Sequence, residues 1–188
     1  MKLSAPVGGP GWHPKAENGS TNVVTYVTSS QGNGAIGYDE YAFALNANAP
    51  VARLRDPAGR YVPPAAQNVT AALTAAVVDE NPHSARYLQE NLADVYASKN
   101  PLSYPLSYYG YLIVPRSGTK LPPIFSAAAG RSLSTFVIFA LCGGQRQERA
   151  LGYAPLPRNL VSAGLKQVAQ IPGHVAVPTI SECEKLAG

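Results

Sequence analysis

YPLSYYGYLIV, residues 104–114, is the stretch whose reading decides the fold. On an extended chain, Leu106, Tyr108, Leu112 and Val114 share one face, and Tyr109, Tyr111 and Ile113 share the other. Both faces are apolar, which predicts a central strand covered on both sides. Pro115 and residues 116–123 read as the loop that leaves it.

The C-terminal side reads mainly as helices. Leu133, Phe136, Val137, Ala140 and Leu141 repeat at helical spacing over 131–142, and Gly143-Gly144 ends that helix. A short helix over 145–151 precedes a rigid corner, Tyr153-Ala-Pro-Leu-Pro157. Leu160, Val161, Leu165 and Val168 mark the last long helix, which stops at Pro172-Gly173. The tail leaves room for a strand at 175–177.

The N-terminal side alternates. Residues 1–17 form an opening loop. Asn18-Gly19-Ser20-Thr21 supplies N-cap residue types for a helix with Val23, Val24 and Val27 on one face, stopped by Gly32 and Gly34. Residues 35–38 read as a short buried strand, and a helix follows over 39–46. A strand at 51–55 ends in the turn Asp56-Pro-Ala-Gly59. One helix carries Val69, Leu73, Ala76 and Val77. A second, after Asn81-Pro82, carries Leu88, Leu92, Val95 and Tyr96. Helices alternating with short strands make the class α/β.

Composition narrows the function classes. The chain has 188 residues, 46% of them hydrophobic, enough for a packed core. Its net charge is +4, but the basic residues form no run and no aromatic-basic pattern, so nucleic acid is not an expected partner. Met1-Lys2 leads into a stretch too short and broken for a secretory h-region, so no signal peptide is expected. The longest apolar run, 136–142, is too short to span a bilayer. Cys142 and Cys183 fit no zinc or CxxC spacing; they form either one disulfide or two buried thiols. His13, His83 and His174 lack ligand partners at metal spacing, and no nucleophile motif or phosphate loop occurs, so neither cofactor nor enzyme chemistry is expected.

Four blocks in order carry a resemblance: GAIGYDEYAFAL (34–45), YPLSYYGYLIV (104–114), STFVIFALCGGQ (134–145) and LGYAPLPRNLV (151–161). Together they resemble the phosphate-binding proteins of ABC phosphate transporters. The wording of the second block and the cysteines resemble the actinobacterial branch, where a C-terminal cysteine matches Cys183. The resemblance implies a type II periplasmic-binding-protein-like fold, two α/β lobes closing on inorganic phosphate. It also implies delivery to a membrane permease and an extracytoplasmic location. On this basis 18–103 belongs to the second lobe and return crossover, and 104–188 to the first lobe with its tail. The blocks match only the C-terminal half or so of that family, whose phosphate-gripping residues lie mostly upstream. The fold is therefore expected to be incomplete at its N-terminal side, as a fragment, a split-gene product or a chain that needs a partner.

Within the chain, Asn18, Gly19 and Ser20 are cleft candidates because a helix N-terminus offers amides to an anion; the alternative is an ordinary cap. Tyr38 is a second cleft candidate. Asp39 and Glu40 read more simply as acids at a helix start. Arg116-Ser117-Gly118-Thr119 has the letters of a phosphate motif, but it follows the wrong strand and reads as a surface turn. A competing function is an interaction module or remnant that binds no phosphate on its own.

Overall fold

The computed structural model describes residues 14–118 and 125–187. Residues 1–13 of the opening loop and 119–123 of the loop after the long apolar stretch lie outside the described residues. The chain divides into two compact units, Met1–Val51 and Ala52–Gly188.

The first unit is a helix pair. Helix α1 (Ser20–Thr28) follows Gly19, whose positive φ of 83° serves as N-cap without any side-chain bond. The capping expected from Asn18 or Ser20 is therefore absent. Asn18 contributes its carbonyl instead, which accepts from Asn22 Nδ2 at 2.8 Å. The helix ends at Ser29, earlier than the glycines. Ser29 Oγ donates to the Tyr26 carbonyl and accepts from the Gly32 amide, opening a 3-10 turn at Ser30–Gly32. Helix α2 (Tyr41–Asn46) begins two residues later than expected, after Glu40. It closes as the sequence suggested: Asn48 adopts φ 49° and the Ala49 amide reaches back to the Ala44 carbonyl. Val24 of α1 and Ala42 of α2 are the buried apolar side chains among the described residues of this unit.

The second unit begins with a hairpin, β1 (Leu54–Arg55) against β2 (Tyr61–Val62), antiparallel. Asp56 fixes its turn. The buried carboxylate accepts from the Arg60 amide and from Arg60 Nε, each at 2.8 Å, while Arg60 Nη2 also reaches the Lys99 carbonyl. Burial pushes the Asp56 carboxyl up, but the Arg60 hydrogen bonds and charge outweigh it, leaving the group below its ordinary value. Because the folded value is depressed, the contribution is complete above the unfolded value near pH ~4 and fades as pH falls through the folded value. Asp56→Asn should thus lower the melting temperature at neutral pH, and the gap to the parent should close on acidification. A gap that stays constant down to about pH 2 would remove the carboxylate from the account.

Helix α3 (Ala66–Leu73) follows, and then a second antiparallel hairpin, β3 (Val77–Val78) with β4 (Glu90–Asn91). The long helix expected after Pro82 is replaced by turns, this hairpin and one helical turn, α4 (Ala93–Tyr96). Leu88 sits at φ 62°, incompatible with a helix, and its amide donates to the Asp79 carbonyl across the hairpin. Ala72, Leu73, Ala76, Leu92, Val95 and Leu160 form the first core cluster.

The remainder is helical. Helix α5 (Ala127–Leu141) is capped by Ser126 Oγ, and α6 (Arg158–Val168) follows Pro157. Helix α6 buries its whole expected stripe, whereas α5 starts four residues earlier than expected and leaves Phe136 of its stripe exposed. The 145–151 helix is instead a 3-10 turn at Gly143–Arg146 followed by turns. Gln145 joins two of the recognised blocks: its Nε2 donates to the Ala140 carbonyl and its Oε1 accepts from the Leu156 amide. The stretch Ala127–Arg146 is long and apolar enough to cross a membrane by length and composition, although the apolar run 136–142 alone is not. Here its inner side, Ser134 and Val137, is buried.

The tail carries a helix that was not expected, α7 (Ile180–Ala187), and no strand forms at 175–177. Thr179 and Glu182 make a capping box: Glu182 Oε2 accepts from the Thr179 amide at 2.8 Å, and Thr179 Oγ1 accepts from the Glu182 amide. Cys142 and Cys183 are bonded, fully buried, and tie α7 to the end of α5. Helix α6 and the corner before it are also joined to the 52–103 part. Thr70 Oγ1 donates to the Pro155 carbonyl, Asn159 Nδ2 to the Leu73 and Ala76 carbonyls, and Lys166 pairs with Glu80.

Neither expected apolar strand is present. Residues 35–38 and 104–114 join no ladder; the sheets among the described residues are the two short hairpins. Ile36 is 97% exposed and Ile113 94%. Strand formation needs a hydrogen-bonding neighbour, and none of the described elements supplies one. Many helices and few strands remain compatible with an α/β class.

Candidate functional site

The candidates Asn18, Gly19, Ser20 and Tyr38 all lie in the first unit. Gly19 presents no side chain at the start of α1, and its carbonyl accepts from the Asn22 and Val23 amides, so the helix begins in register directly behind it. The amides of the first turn carry the positive end of the helix dipole.

Gly37 brings the second candidate alongside. A Cβ at this position would lie 2.8 Å from Val27 Cγ2 and 3.3 Å from Val23 Cγ1, so only glycine lets the backbone cross the Val23/Val27 face this closely. Tyr38 follows, 70% exposed. Asp39 is turned back on the chain: Oδ1 accepts from the Glu40 amide at 2.8 Å, and Oδ2 is buried without a hydrogen-bond partner. The helix-start reading of Asp39 and Glu40 moves with α2, which begins only at Tyr41.

Other candidates resolve into structural roles. Ser117 donates its amide to the Gln170 carbonyl, and Gly118 takes φ 82°, a turn rather than a helix start. Arg116 stacks over the Tyr87 ring, 5.3 Å from its centroid; Thr119 lies outside the described residues. His174 Nδ1 is within 3.0 Å of the Ile171 carbonyl, and no group of three metal-ligating side chains occurs among the described residues. His13 lies outside them. Asp79 is lowered chiefly by the Ser84 hydroxyl and the Asn81 amide, as a loop-fixing acid. Asn68, in a glycosylation-type triplet, is buried and donates to the Pro63 carbonyl.

The tyrosine-rich stretch is largely exposed, with Tyr108 and Tyr111 half exposed, and packs chiefly through Tyr109. Tyr109 lies against the first core cluster, and the Tyr111 hydroxyl accepts from the Glu90 amide at 2.7 Å. Their rings are 5.5 Å apart and tilted. Burial pushes the Glu90 carboxyl up, offset in part by the Tyr109 hydroxyl; burial and its neighbours push Tyr109 up as well. Sequence reasoning did not anticipate this Glu90–Tyr109–Tyr111 cluster, because it placed Glu90 in a helix, whereas the residue lies in β4.

Known proteins similar to this chain are phosphate-binding proteins. Over 157 residues, 83% of the chain, it is 27% identical to the phosphate-binding protein PstS of Methanocaldococcus jannaschii, covering 39% of that protein. Over 143 residues, 76% of the chain, it is 30% identical to the phosphate-binding protein PstS of Xylella fastidiosa strain Temecula1, covering 35% of it. The chain thus spans well under half the length of the curated relatives it matches. No family model and no solved structure matches.

Proposed function

We propose that this chain is the C-terminal part of the solute-binding component of an ABC-type phosphate uptake system. It would be extracytoplasmic and non-enzymatic, and would capture inorganic phosphate for a membrane permease. The observation that carries this reading is the similarity to phosphate-binding proteins over 76–83% of the chain. The α1 N-terminus, Asn18-Gly19-Ser20, has the chemistry to donate amides to an anion, and Tyr38 is the exposed side chain beside the same helix. The division into lobes at 18–103 and 104–188, a type II two-lobed architecture and the actinobacterial branch rest on the four sequence blocks. The contacts within this chain instead group 52–188 together.

Titration calorimetry with inorganic phosphate tests the reading. Binding at micromolar affinity or tighter, with sulfate much weaker, is the expected result. Tyr38→Ala should then raise the dissociation constant about tenfold, or about 1.4 kcal/mol. It should leave the melt unchanged, since the ring is exposed. No heat with phosphate favours the second reading, an interaction module without phosphate affinity of its own. The exposed apolar positions Ile36 and Ile113 speak for that alternative.

A further inference from the structure

We propose that Glu90 is a pH-operated latch: its carboxyl, beside Tyr109, fastens the 109–111 stretch to the β3–β4 hairpin when protonated and loosens it when ionised. This device is independent of the phosphate reading. The stretch meets the hairpin through two side chains. The Tyr111 hydroxyl accepts from the Glu90 amide at 2.7 Å. Tyr109, its ring 5.5 Å from that of Tyr111, packs against the cluster that holds Leu92 and Val95. No amide from Tyr109 to Ile113 donates to a backbone carbonyl among the described residues, so the bond between Tyr111 and Glu90 is a principal polar tie of this strip. Beside that tie, Glu90 Oε2 and the Tyr109 hydroxyl oxygen are buried, and neither has a hydrogen-bond partner among the described residues. A carboxylate oxygen shielded from water without a donor is costly, and the neutral acid much less so.

The charged groups nearby are engaged elsewhere. On the loop of the same hairpin, Asp79 is held by Ser84 and Asn81 and feels Arg86, and His83 is exposed. Lys166 of α6 pairs with Glu80, and Arg116, beyond the stretch, lies over the Tyr87 ring. Burial pushes the Glu90 carboxyl up, and the Tyr109 hydroxyl offsets this only in part. Because the folded value is raised, the fastening is complete below the unfolded value near pH ~4.3 and is lost as pH rises through the folded value. Asp56, Asp79 and Glu182 are lowered instead, so their contributions fade on acidification, the opposite sense. A readout at Glu90 itself separates the two.

Residue-resolved hydrogen exchange of the 188-residue chain from about pH 4.5 to about pH 8 tests this, read as protection of the Glu90 amide relative to its intrinsic rate. The expected result is a fall in protection of about fivefold as pH rises, the worth of one such hydrogen bond. Glu90→Gln should stay protected throughout, because the amide keeps the shape of the acid without titrating. Tyr109→Phe should keep the step and move its midpoint to higher pH, since the hydroxyl that favours the ionised form is gone. Glu148 is the other described carboxyl that burial pushes up. Glu148→Gln and His83→Gln should each leave the profile as in the parent. A flat profile in the parent overturns the proposal. So does a step that survives in Glu90→Gln, or one that disappears with Glu148→Gln or His83→Gln.

Discussion

Replacing Cys142 and Cys183 together by Ala should cost the folded state about 4 kcal/mol, the loop-closure value for a cross-link of this span. The two residues are 41 apart, and the loop they close contains all of α6. The other ties on α7 are weaker. The bidentate Arg158–Glu184 pair is solvent-exposed and contributes about 1 kcal/mol or less, and the Thr179–Glu182 capping box contributes a similar amount. Denaturant titration of the double variant should show the loss, and the transition should fall by roughly 8–16 °C for a chain of this size. Because both sulfurs are buried, mild reductant should leave the folded parent unchanged while lowering its stability once it unfolds. A loss under about 1 kcal/mol would mean that packing of α7 against Val161 and Leu165 holds the helix by itself.

Gly130→Ala should destabilise by about 2 kcal/mol or more, against the usual sign. In a helix interior this substitution normally gains about 1 kcal/mol from propensity. In α5, however, a Cβ at 130 would overlap the Pro172 carbonyl oxygen and lie 2.9 Å from its carbon, and backbone cannot yield as a side-chain tip can. Gly164 in α6 is the matched control. A Cβ there would meet Leu141 Cδ1 at 2.9 Å and Cδ2 at 3.0 Å, the far end of a movable side chain. Gly164→Ala should therefore come out within about 1 kcal/mol of neutral. Thermal melts of the two variants side by side decide this, and equal effects would refute the backbone-clash account.

The parts of this fold legible in the sequence are those whose signal is local. The α5 and α6 stripes repeat at helical spacing, and both helices form where the stripes lie. The capping box that starts α7 was also written locally, in Thr179 and Glu182, although the tail reads as a strand at 175–177 with no helix. Leu88, Leu92, Val95 and Tyr96 have helical spacing too, yet only the turn Ala93–Tyr96 is helical, and Leu88 lies in the preceding hairpin in a left-handed conformation that spacing does not reveal. The strands at 35–38 and 104–114 failed for a different reason. Apolar alternation gives a segment's capacity to pair but not the presence of its neighbour. The close approach at Gly37 was foreseeable from the glycine itself, whereas the exposure of Tyr38 depends on that absent pairing. The cysteine pair was left open between a bond and two thiols, because spacing along the chain does not give distance in space.

The seam between the 155–168 segment and the 52–103 part is joined by side-chain donors reaching main-chain carbonyls: Thr70 to Pro155, and Asn159 to Leu73 and Ala76. A carbonyl survives any substitution, whereas a hydroxyl or carboxamide does not. Tolerance to change across this seam is therefore one-sided. As far as its hydrogen bond goes, position 155 can vary freely, while positions 70 and 159 accept very few alternatives. A saturation scan of the three positions should return one permissive and two restrictive profiles. Shared donors, more than shared acceptors, would then be the durable mark of this arrangement in divergent sequences.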